Sequence, residues 1–442
     1  MGVIEAQTDK AGRRQAKSPV NEHSHLEQAA HPEDGLRWVF WLCLAWFILA
    51  ASTGAMIRYW MLAGFPAGLN YGNVRHAHSH LMYFGWVTPL LMALISGNLS
   101  RRLGGAIVSS FRRVIAVVLI LSVTTYPAFF LWGYQPAQLG GKTIPISVIL
   151  SGLNILAWYV FMGLYFHHTC GLSRRAPLRY WDASLVFLAL ASLGAWGRAA
   201  LVSLHIDDVF ITTAMVHLFL DLFADGWFLL AVLGLAYAAF PDLVKEPAGK
   251  EDWFIFLGLP LTFLLGVPVD LTPASLRALA GAGGLSVAIG LAVHFRRLWP
   301  RLRRQPGSVW LIPALFLGLK AGLEAGVSIT PLAVWGERMG LRIFYLHVFL
   351  LGFVSLSLLA AASNLWGETF IQRRAWMTVA VLALLASLLP LTGLWPKSWF
   401  GHWALAFAFL AATGPVLVAL SWLAGRATPR AFSQKAARYI PW

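Results

Sequence analysis

Long apolar runs, separated by short polar stretches, dominate the chain from residue 36 onward. Each run is close to the ~20 residues that a helix needs to cross a hydrocarbon core of ~30 Å. The pattern therefore predicts twelve transmembrane helices, of which the seventh is the least well defined. The predicted segments are residues 37–60, 76–98, 113–133, 144–166, 182–204, 209–239, 253–269, 275–295, 308–328, 341–365, 375–395 and 400–424.

The composition places this pattern in an all-α polytopic membrane protein. Hydrophobic residues make up 58% of the 442 residues and charged residues 12%, which is not the composition of a soluble core. The polar residues 1–35 lack a short apolar core followed by a cleavage site, so we expect a disordered cytoplasmic tail and not a signal peptide. A membrane domain then covers 36–425, and 426–442 form a second cytoplasmic tail.

The net charge of +15 is explained by topology. Cations concentrate in every second connection, which is the pattern of cytoplasmic loops under the positive-inside rule. These cations are Arg101, Arg102, Arg112, Arg113, Arg174, Arg175, Arg179, Lys245, Lys250, Arg296, Arg297, Arg301, Arg303, Arg304, Arg373, Arg374, Arg426, Arg430, Lys435 and Arg438. Both termini are therefore predicted to lie in the cytoplasm of a bacterium, with the chain in the inner membrane. Membrane lipid is the expected surrounding, and nucleic acid is not an expected partner.

Three apolar segments each carry a histidine near the same end. His78, His217 and His347 lie within roughly the first two turns of the second, sixth and tenth segments, all of which run inwards from the outer face. Histidine is costly in a bilayer, so three at one depth indicate a metal or haem site. Because these helices recur every fourth along the chain, they also predict a pseudo-threefold arrangement of four-helix units. The two cysteines, Cys43 and Cys170, indicate neither disulfides nor a metal site.

The residues around His78 and His347 resemble a known family. The stretch Gly54-Ala55-Met56-Ile57-Arg58, then Ala77-His78, and Tyr345-Leu346-His347-Val348 are similar to subunit I of the haem-copper oxidase superfamily, which includes the large subunit of nitric oxide reductase. The resemblance covers all twelve predicted helices. It implies that His78 and His347 are the axial ligands of a low-spin haem b. Because 80–87 resembles 347–354, His80 remains an alternative ligand.

The sixth segment carries a second resemblance. His217, Asp221 and Asp225 occur at i, i+4 and i+8 and share one helical face. They are similar to the nitric oxide reductase helix in which a histidine binds non-haem iron and two carboxylates follow. The resemblance implies that His217 and Asp221 are metal ligands and that Asp225 relays protons.

The chain departs from the family at the expected reaction centre. The family has two adjacent histidines in its seventh helix, and 257–271 contain none. Tyr345 stands where the family binds a high-spin haem through histidine; a tyrosinate can ligate haem, or this side chain is simply packed. His76 and His80 are four residues apart and could supply the imidazoles that the seventh helix lacks.

Further charges lie inside or beside the membrane. Lys320 and Glu324 are four apart within the ninth segment, as expected of an ion pair or of part of a proton path. His294 is expected at a solvated helix end. A group of residues near the outer face could neutralise haem propionates, with Trp395 packed nearby. This group is Arg338, Arg342, Lys397 and His402.

Three functions follow as alternatives. In the first, the low-spin haem passes electrons to a site near His217 and Asp221 that reduces nitric oxide or oxygen, with a second haem, non-haem iron or copper as a further cofactor and a cytochrome c or quinol as the donor. In the second, a non-catalytic haem protein senses or buffers nitric oxide or transfers electrons. In the third, a transporter uses the buried charges and binds no haem.

Overall fold

The computed structural model describes residues 32–244, 249, 251–305 and 307–426. Eleven helices among these residues are long and apolar enough to cross a membrane. They are α1 (Glu33–Ala63), α2 (Tyr71–Leu103), α3 (Gly105–Trp132), α4 (Ile146–Thr169), α5 (Leu178–Ser203), α6 (Val209–Ala239), α8 (Ala274–Arg303), α9 (Leu311–Ser328), α10 (Arg342–Trp366), α11 (Arg374–Leu391) and α12 (His402–Gly425). The protein is thus a multi-pass, nearly all-α membrane protein, as the apolar runs predict.

The seventh predicted segment forms a shorter helix than the others. Helix α7 (Glu251–Thr262) has twelve residues and continues into a 3-10 turn, Phe263–Leu265. It is too short to count as a span by helix length, so a twelfth span is not confirmed. The remaining elements are small: the helices Pro241–Val244 and Thr330–Arg338 and an antiparallel pair of strands, β1 (Ala137–Leu139) and β2 (Lys142–Ile144).

Most of the predicted tails, 1–31 and 427–442, and the cations Lys245 and Lys250 lie outside the described residues. At the end of the first tail, Pro32–Leu36 forms a 3-10 turn that continues into the α-helical part of α1, Arg37–Ala63.

Two helices that carry predicted site residues begin at N-cap side chains. The side chain of Asn70 accepts a hydrogen bond from the backbone N–H of Asn73 at 3.2 Å, and that of Asp208 accepts one from Ile211 at 2.7 Å. Each cap satisfies a backbone donor that the first turn of a helix leaves unpaired. The caps therefore fix where α2 and α6 start, and with that the positions of their histidines.

The helices α2, α6 and α10 form the centre of the bundle. In the most apolar stretch of each, 83%, 72% and 67% of the residues are buried, against at most 50% in the other eight spans. A helix buried on all sides is apolar over most of its surface, which agrees with the long apolar runs in these three sequences. The three histidine-bearing helices are thus the three central ones.

Each central helix contains one π-helical segment of seven or eight residues. These segments are Leu81–Val87, Leu222–Phe228 and Val348–Ser355. Each begins immediately after His80, Asp221 or His347. Such segments are rare and occur frequently at functional sites. These segments recur at the same place in all three central helices, which makes this level of the bundle a candidate functional region.

A glycine in each π-helical segment packs closely on the preceding helix. A Cβ added to Gly226 would lie 2.5 Å from Cβ of Phe187 on α5, and one added to Gly352 would lie 2.5 Å from Cδ1 of Phe316 on α9. At Gly85 the nearest atom is Cδ1 of Leu81 in the same helix, at 2.7 Å, and the nearest on another helix is Cβ of Trp46 on α1, at 3.3 Å. The same contact therefore joins α1 to α2, α5 to α6 and α9 to α10.

The two ends of the α7 segment contact opposite ends of α8. Near the start of α7, Glu251 pairs with Arg297 of α8. After the 3-10 turn, the guanidinium of Arg277, in the first turn of α8, donates to the backbone oxygen of Leu265 at 3.1 Å. The segment from 251 to 267 consequently runs antiparallel to α8 along much of its length.

Candidate functional site

The His78 imidazole is oriented by the neighbouring helix α1. Its Nδ1 donates to the backbone oxygen of Ala50 at 2.7 Å. One turn further along α1, a Cβ on Gly54 would lie 2.9 Å from Cε1 of the ring, so the glycine makes the room that this orientation needs. With Nδ1 used, Nε2 is the nitrogen left for a metal.

His347 on α10 presents the same chemistry. Its Nδ1 donates to the backbone oxygen of Ile343 at 2.8 Å, within its own helix, and Nε2 again remains. His78 and Arg58 are both electrostatic neighbours of the His347 ring. Two imidazoles with the same tautomer are therefore electrostatic neighbours on two central helices, and a pair of imidazoles is the donor set that a six-coordinate haem iron requires.

Arg58 is a site residue that the sequence reasoning did not single out. Its half-buried guanidinium, on α1, is an electrostatic neighbour of both His78 and His347. The predicted outer-face cations Arg338, Arg342, Lys397 and His402 are instead exposed. Their loops meet where the backbone N–H of Gly393 donates to the oxygen of Met339 at 2.8 Å. Of all these cations, Arg58 is the one that neighbours both histidines.

His76 and His80 face Tyr134, at the end of α3. The His80 ring stacks on Phe129 with centroids 3.9 Å apart, and its Nε2 lies 2.9 Å from the Tyr134 hydroxyl. Burial raises the pKa of Tyr134 to about 12, so its hydroxyl stays protonated at neutral pH and shares a hydrogen bond with Nε2. The His76 ring lies 4.9 Å from the ring of Tyr134. His78, and not His80, is therefore the α2 histidine placed beside His347.

His217 is buried and paired with Asp221 on its own helix. Its Nδ1 donates to Oδ2 of Asp221 at 3.1 Å, as the i, i+4 spacing predicts. The backbone of Gly266, just after the 3-10 turn that follows α7, closes over this pair: a Cβ there would lie 2.6 Å from Oδ2. The seventh segment thus reaches His217, and the residue that covers this side chain is a glycine and not a histidine.

Four ionisable side chains from three helices meet in one buried group, which we call the Lys320 cluster: Asp225, Lys320, Glu324 and Tyr345. Nζ of Lys320 donates to Asp225 at 3.1 Å, to Glu324 at 2.6 Å and to the hydroxyl of Tyr345. That hydroxyl in turn donates to Glu324 at 3.2 Å. The predicted pair of Lys320 and Glu324 is confirmed, and Tyr345 uses its oxygen here.

The Lys320 cluster continues towards His217. Asp221 and Asp225 are electrostatic neighbours on α6, and both are neighbours of Tyr83 on α2, as is Arg342. The ring of Tyr83 stacks on Phe223 with centroids 6.0 Å apart. One polar region therefore extends between α2, α6, α9 and α10.

The donors in this polar region do not fit a non-haem iron or copper. Among residues 32–426 with the gaps given above, no three side chains of His, Cys, Asp or Glu are grouped so that they could hold a metal ion. The one imidazole present, His217, is bonded to Asp221 and covered by Gly266. By contrast, the donor pair at His78 and His347 fits an axially ligated haem.

The expectation that His294 lies at a solvated helix end is wrong. The side chain is fully buried on α8, and its Nδ1 lies 2.8 Å from the hydroxyl of Tyr237. Next to it, the hydroxyl of Tyr180 donates to Asp252 at 2.6 Å, and Arg179 pairs with the same carboxylate. Helices α5 to α8 are joined there by a polar network at the end opposite to His217.

Comparison of the chain with protein-family models and with curated proteins gave no match.

Proposed function

We propose that this chain is a membrane haem protein, of the haem-copper oxidase type, that transfers electrons through a single low-spin haem b held by His78 and His347. The observation that carries the proposal is that these two imidazoles are electrostatic neighbours, each with Nδ1 bonded to a backbone oxygen. Such bonds fix the tautomer and make Nε2 the ligand atom. The haem would supply one-electron chemistry when bound.

The chain's own residues prepare this site in three ways. Gly54 and Ala50 on α1 set the plane of the His78 ring. Arg58 provides a positive charge for a propionate in an otherwise apolar surrounding. The apolar side chains of the central helices would give the iron a surrounding of low dielectric constant, which tunes its redox potential.

A gas-reducing centre near His217 is the second candidate. Its support is the polar region, because buried ionisable groups in a membrane are commonly functional. The groups concerned are Asp221, Asp225, Lys320, Glu324 and Tyr345. The donor set argues against a metal there, because its one imidazole is already bonded to a carboxylate. We therefore place electron transfer first, with a quinol or a cytochrome c as the donor that the family resemblance implies. Binding of nitric oxide or oxygen would belong to the second candidate.

The pseudo-threefold arrangement belongs to the same proposal. Its support is the recurrence of a π-helical segment and of a glycine contact with the preceding helix in α2, α6 and α10. Twelve crossings, with both termini in the cytoplasm of a bacterial inner membrane, are supported by the alternating cations and by the course of the α7 segment along α8.

The test is the spectrum of the purified full chain. We expect one haem per chain by pyridine haemochrome and a six-coordinate, low-spin reduced-minus-oxidised spectrum. His78→Ala and His347→Ala should each abolish that spectrum, whereas the matched control His80→Ala should keep it. A chain without haem, or a spectrum that survives in His347→Ala, contradicts the proposal. A second haem, or turnover of nitric oxide, would favour the gas-reducing centre.

A further inference from the structure

The polar region contains buried carboxylates whose negative charge needs compensation in an apolar surrounding. The side chain of Glu324 is 3% exposed and that of Asp225 is 13% exposed. An unpaired charge at such depth is strongly unfavourable, so a carboxylate there needs a cation or a proton. Lys320, whose side chain is 1% exposed, is the cation that both contact.

The ammonium of Lys320 is surrounded in the manner of a bound ion. An ammonium has three N–H donors, and Asp225, Glu324 and Tyr345 provide three oxygen acceptors from α6, α9 and α10. The rings of Tyr345 and Phe349 complete the shell, with centroids 4.9 Å and 5.1 Å from Nζ. These contacts satisfy every donor of the ammonium.

We propose that the Lys320 cluster is a cation site whose resident cation is the lysine ammonium itself, and that this ammonium replaces a divalent metal ion in the polar region. Two carboxylate oxygens and a phenol oxygen are hard ligands of the kind that Mg²⁺, Ca²⁺ and Mn²⁺ prefer. A divalent ion at the same place would lie against Nζ, so the ammonium and a metal exclude one another. The wild-type chain consequently holds no metal at this site.

A consequence is that removal of the ammonium creates a metal site. Lys320→Ala leaves the two carboxylates and the phenol around the space that Nζ occupied. Their negative charge then needs another small cation, and Mn²⁺ is a suitable probe because it binds oxygen ligands and is detected by electron paramagnetic resonance. Glu324→Gln in the same chain removes one ligand and one charge, and provides the matched control.

The experiment compares three full chains in detergent: wild type, Lys320→Ala, and Lys320→Ala with Glu324→Gln. Each is equilibrated with MnCl₂ and desalted, after which bound manganese is measured by elemental analysis and thermal unfolding is followed with and without the metal. We expect no retained manganese and no stabilisation in wild type. We expect one Mn²⁺ per chain and a metal-dependent rise in Tm in Lys320→Ala, both lost in the double variant.

Three results would overturn the proposal. The first is a wild-type chain that retains a stoichiometric non-haem metal and loses it in Asp225→Asn. The second is a folded Lys320→Ala chain that binds no manganese. The third is a Lys320→Ala chain that does not fold even when MnCl₂ is present throughout purification. A Lys320→Ala chain that folds only with Mn²⁺ supports the proposal. The haem spectrum tests the electron-transfer proposal separately. Either proposal can therefore be wrong while the other holds.

Discussion

Ala50 and His78 lie on consecutive helices, and the backbone oxygen of Ala50 accepts a 2.7 Å hydrogen bond from Nδ1 of the His78 imidazole. The orientation of a candidate haem ligand on α2 is therefore set by α1. Close approach of the two helices makes this bond possible, and Gly54 permits that approach because it has no side chain to meet the ring. Helix α1 thus positions the ligand with a backbone oxygen and with a glycine that leaves room for the ring, and not with a polar side chain.

Gly54→Ala is predicted to impair haem binding. Its Cβ would lie 2.9 Å from Cε1 of His78, so the ring must move away from the Ala50 oxygen. Loss of an orienting hydrogen bond of this kind typically weakens metal binding by about 10-fold or more. The measurement is haem per chain and the low-spin spectrum after reconstitution over a range of haem concentrations.

The matched control for this substitution is Gly163→Ala on α4, where an added Cβ meets nothing within 4 Å. That variant should bind haem as wild type does. Equal haem affinity in Gly54→Ala and Gly163→Ala would show that the ring of His78 is not held as described.

The glycines of the π-helical segments yield a second prediction. Gly226→Ala places a Cβ 2.5 Å from Cβ of Phe187, and a clash between two packed helices costs about 1 to 3 kcal/mol. We expect a lower Tm for Gly226→Ala than for wild type in detergent. A Tm for Gly226→Ala equal to that of Gly163→Ala would rule out the close contact between α5 and α6.

The polar network at the far end of α5 to α8 leads to a third prediction, on stability alone. The carboxylate of Asp252 is 3% exposed and joins Tyr180 to Arg179. Asp252→Ala leaves the guanidinium without its partner, and breaking a buried ion pair in this way costs about 3 to 5 kcal/mol. The variant should unfold at a clearly lower temperature than wild type.

Asp270→Ala serves as the control for Asp252→Ala, because Asp270 is exposed in the loop after α7. It should leave Tm within error of wild type. The haem spectrum of any Asp252→Ala chain that remains folded should be unchanged, since the network lies at the opposite end of the bundle from His217. A loss of haem at full stability would connect the network to the haem site and contradict this placement.

The sequence predicted eleven of the spans and the pair of Lys320 and Glu324 because both follow from local spacing. An apolar run sets the length of a helix, and residues four apart on a helix meet whatever surrounds them. The same reasoning could not find that Asp225 and Tyr345 reach Lys320, because these contacts join helices far apart in the chain. Arg58 was missed for the same reason, since its neighbour His347 is on α10.

One signal in the sequence could have revealed more. A glycine followed by an aromatic residue recurs in all three central helices, as Gly85-Trp86, Gly226-Trp227 and Gly352-Phe353. It marks the π-helical segments, whereas the likeness between 80–87 and 347–354 alone supports the pseudo-threefold arrangement and keeps His80 as an alternative ligand. In the structure the likeness reflects shared helix geometry, and His80 itself bonds to Tyr134.

The course of the seventh segment gives the last prediction. Helix α7 has only twelve residues, yet the segment runs from Arg297 at one end of α8 to Arg277 at the other. We expect a segment that does so to cross the membrane beside α8, with the 3-10 turn and the residues up to Val267 adding to a helix that alone is too short to span it. Alkaline phosphatase fused after Asp270 should then be active outside the cytoplasm, and green fluorescent protein fused to the C terminus should fluoresce inside it. An inactive phosphatase at Asp270, with a fusion after Asp208 active as the control, would show that the chain turns back without crossing, and every later helix would then have the opposite orientation.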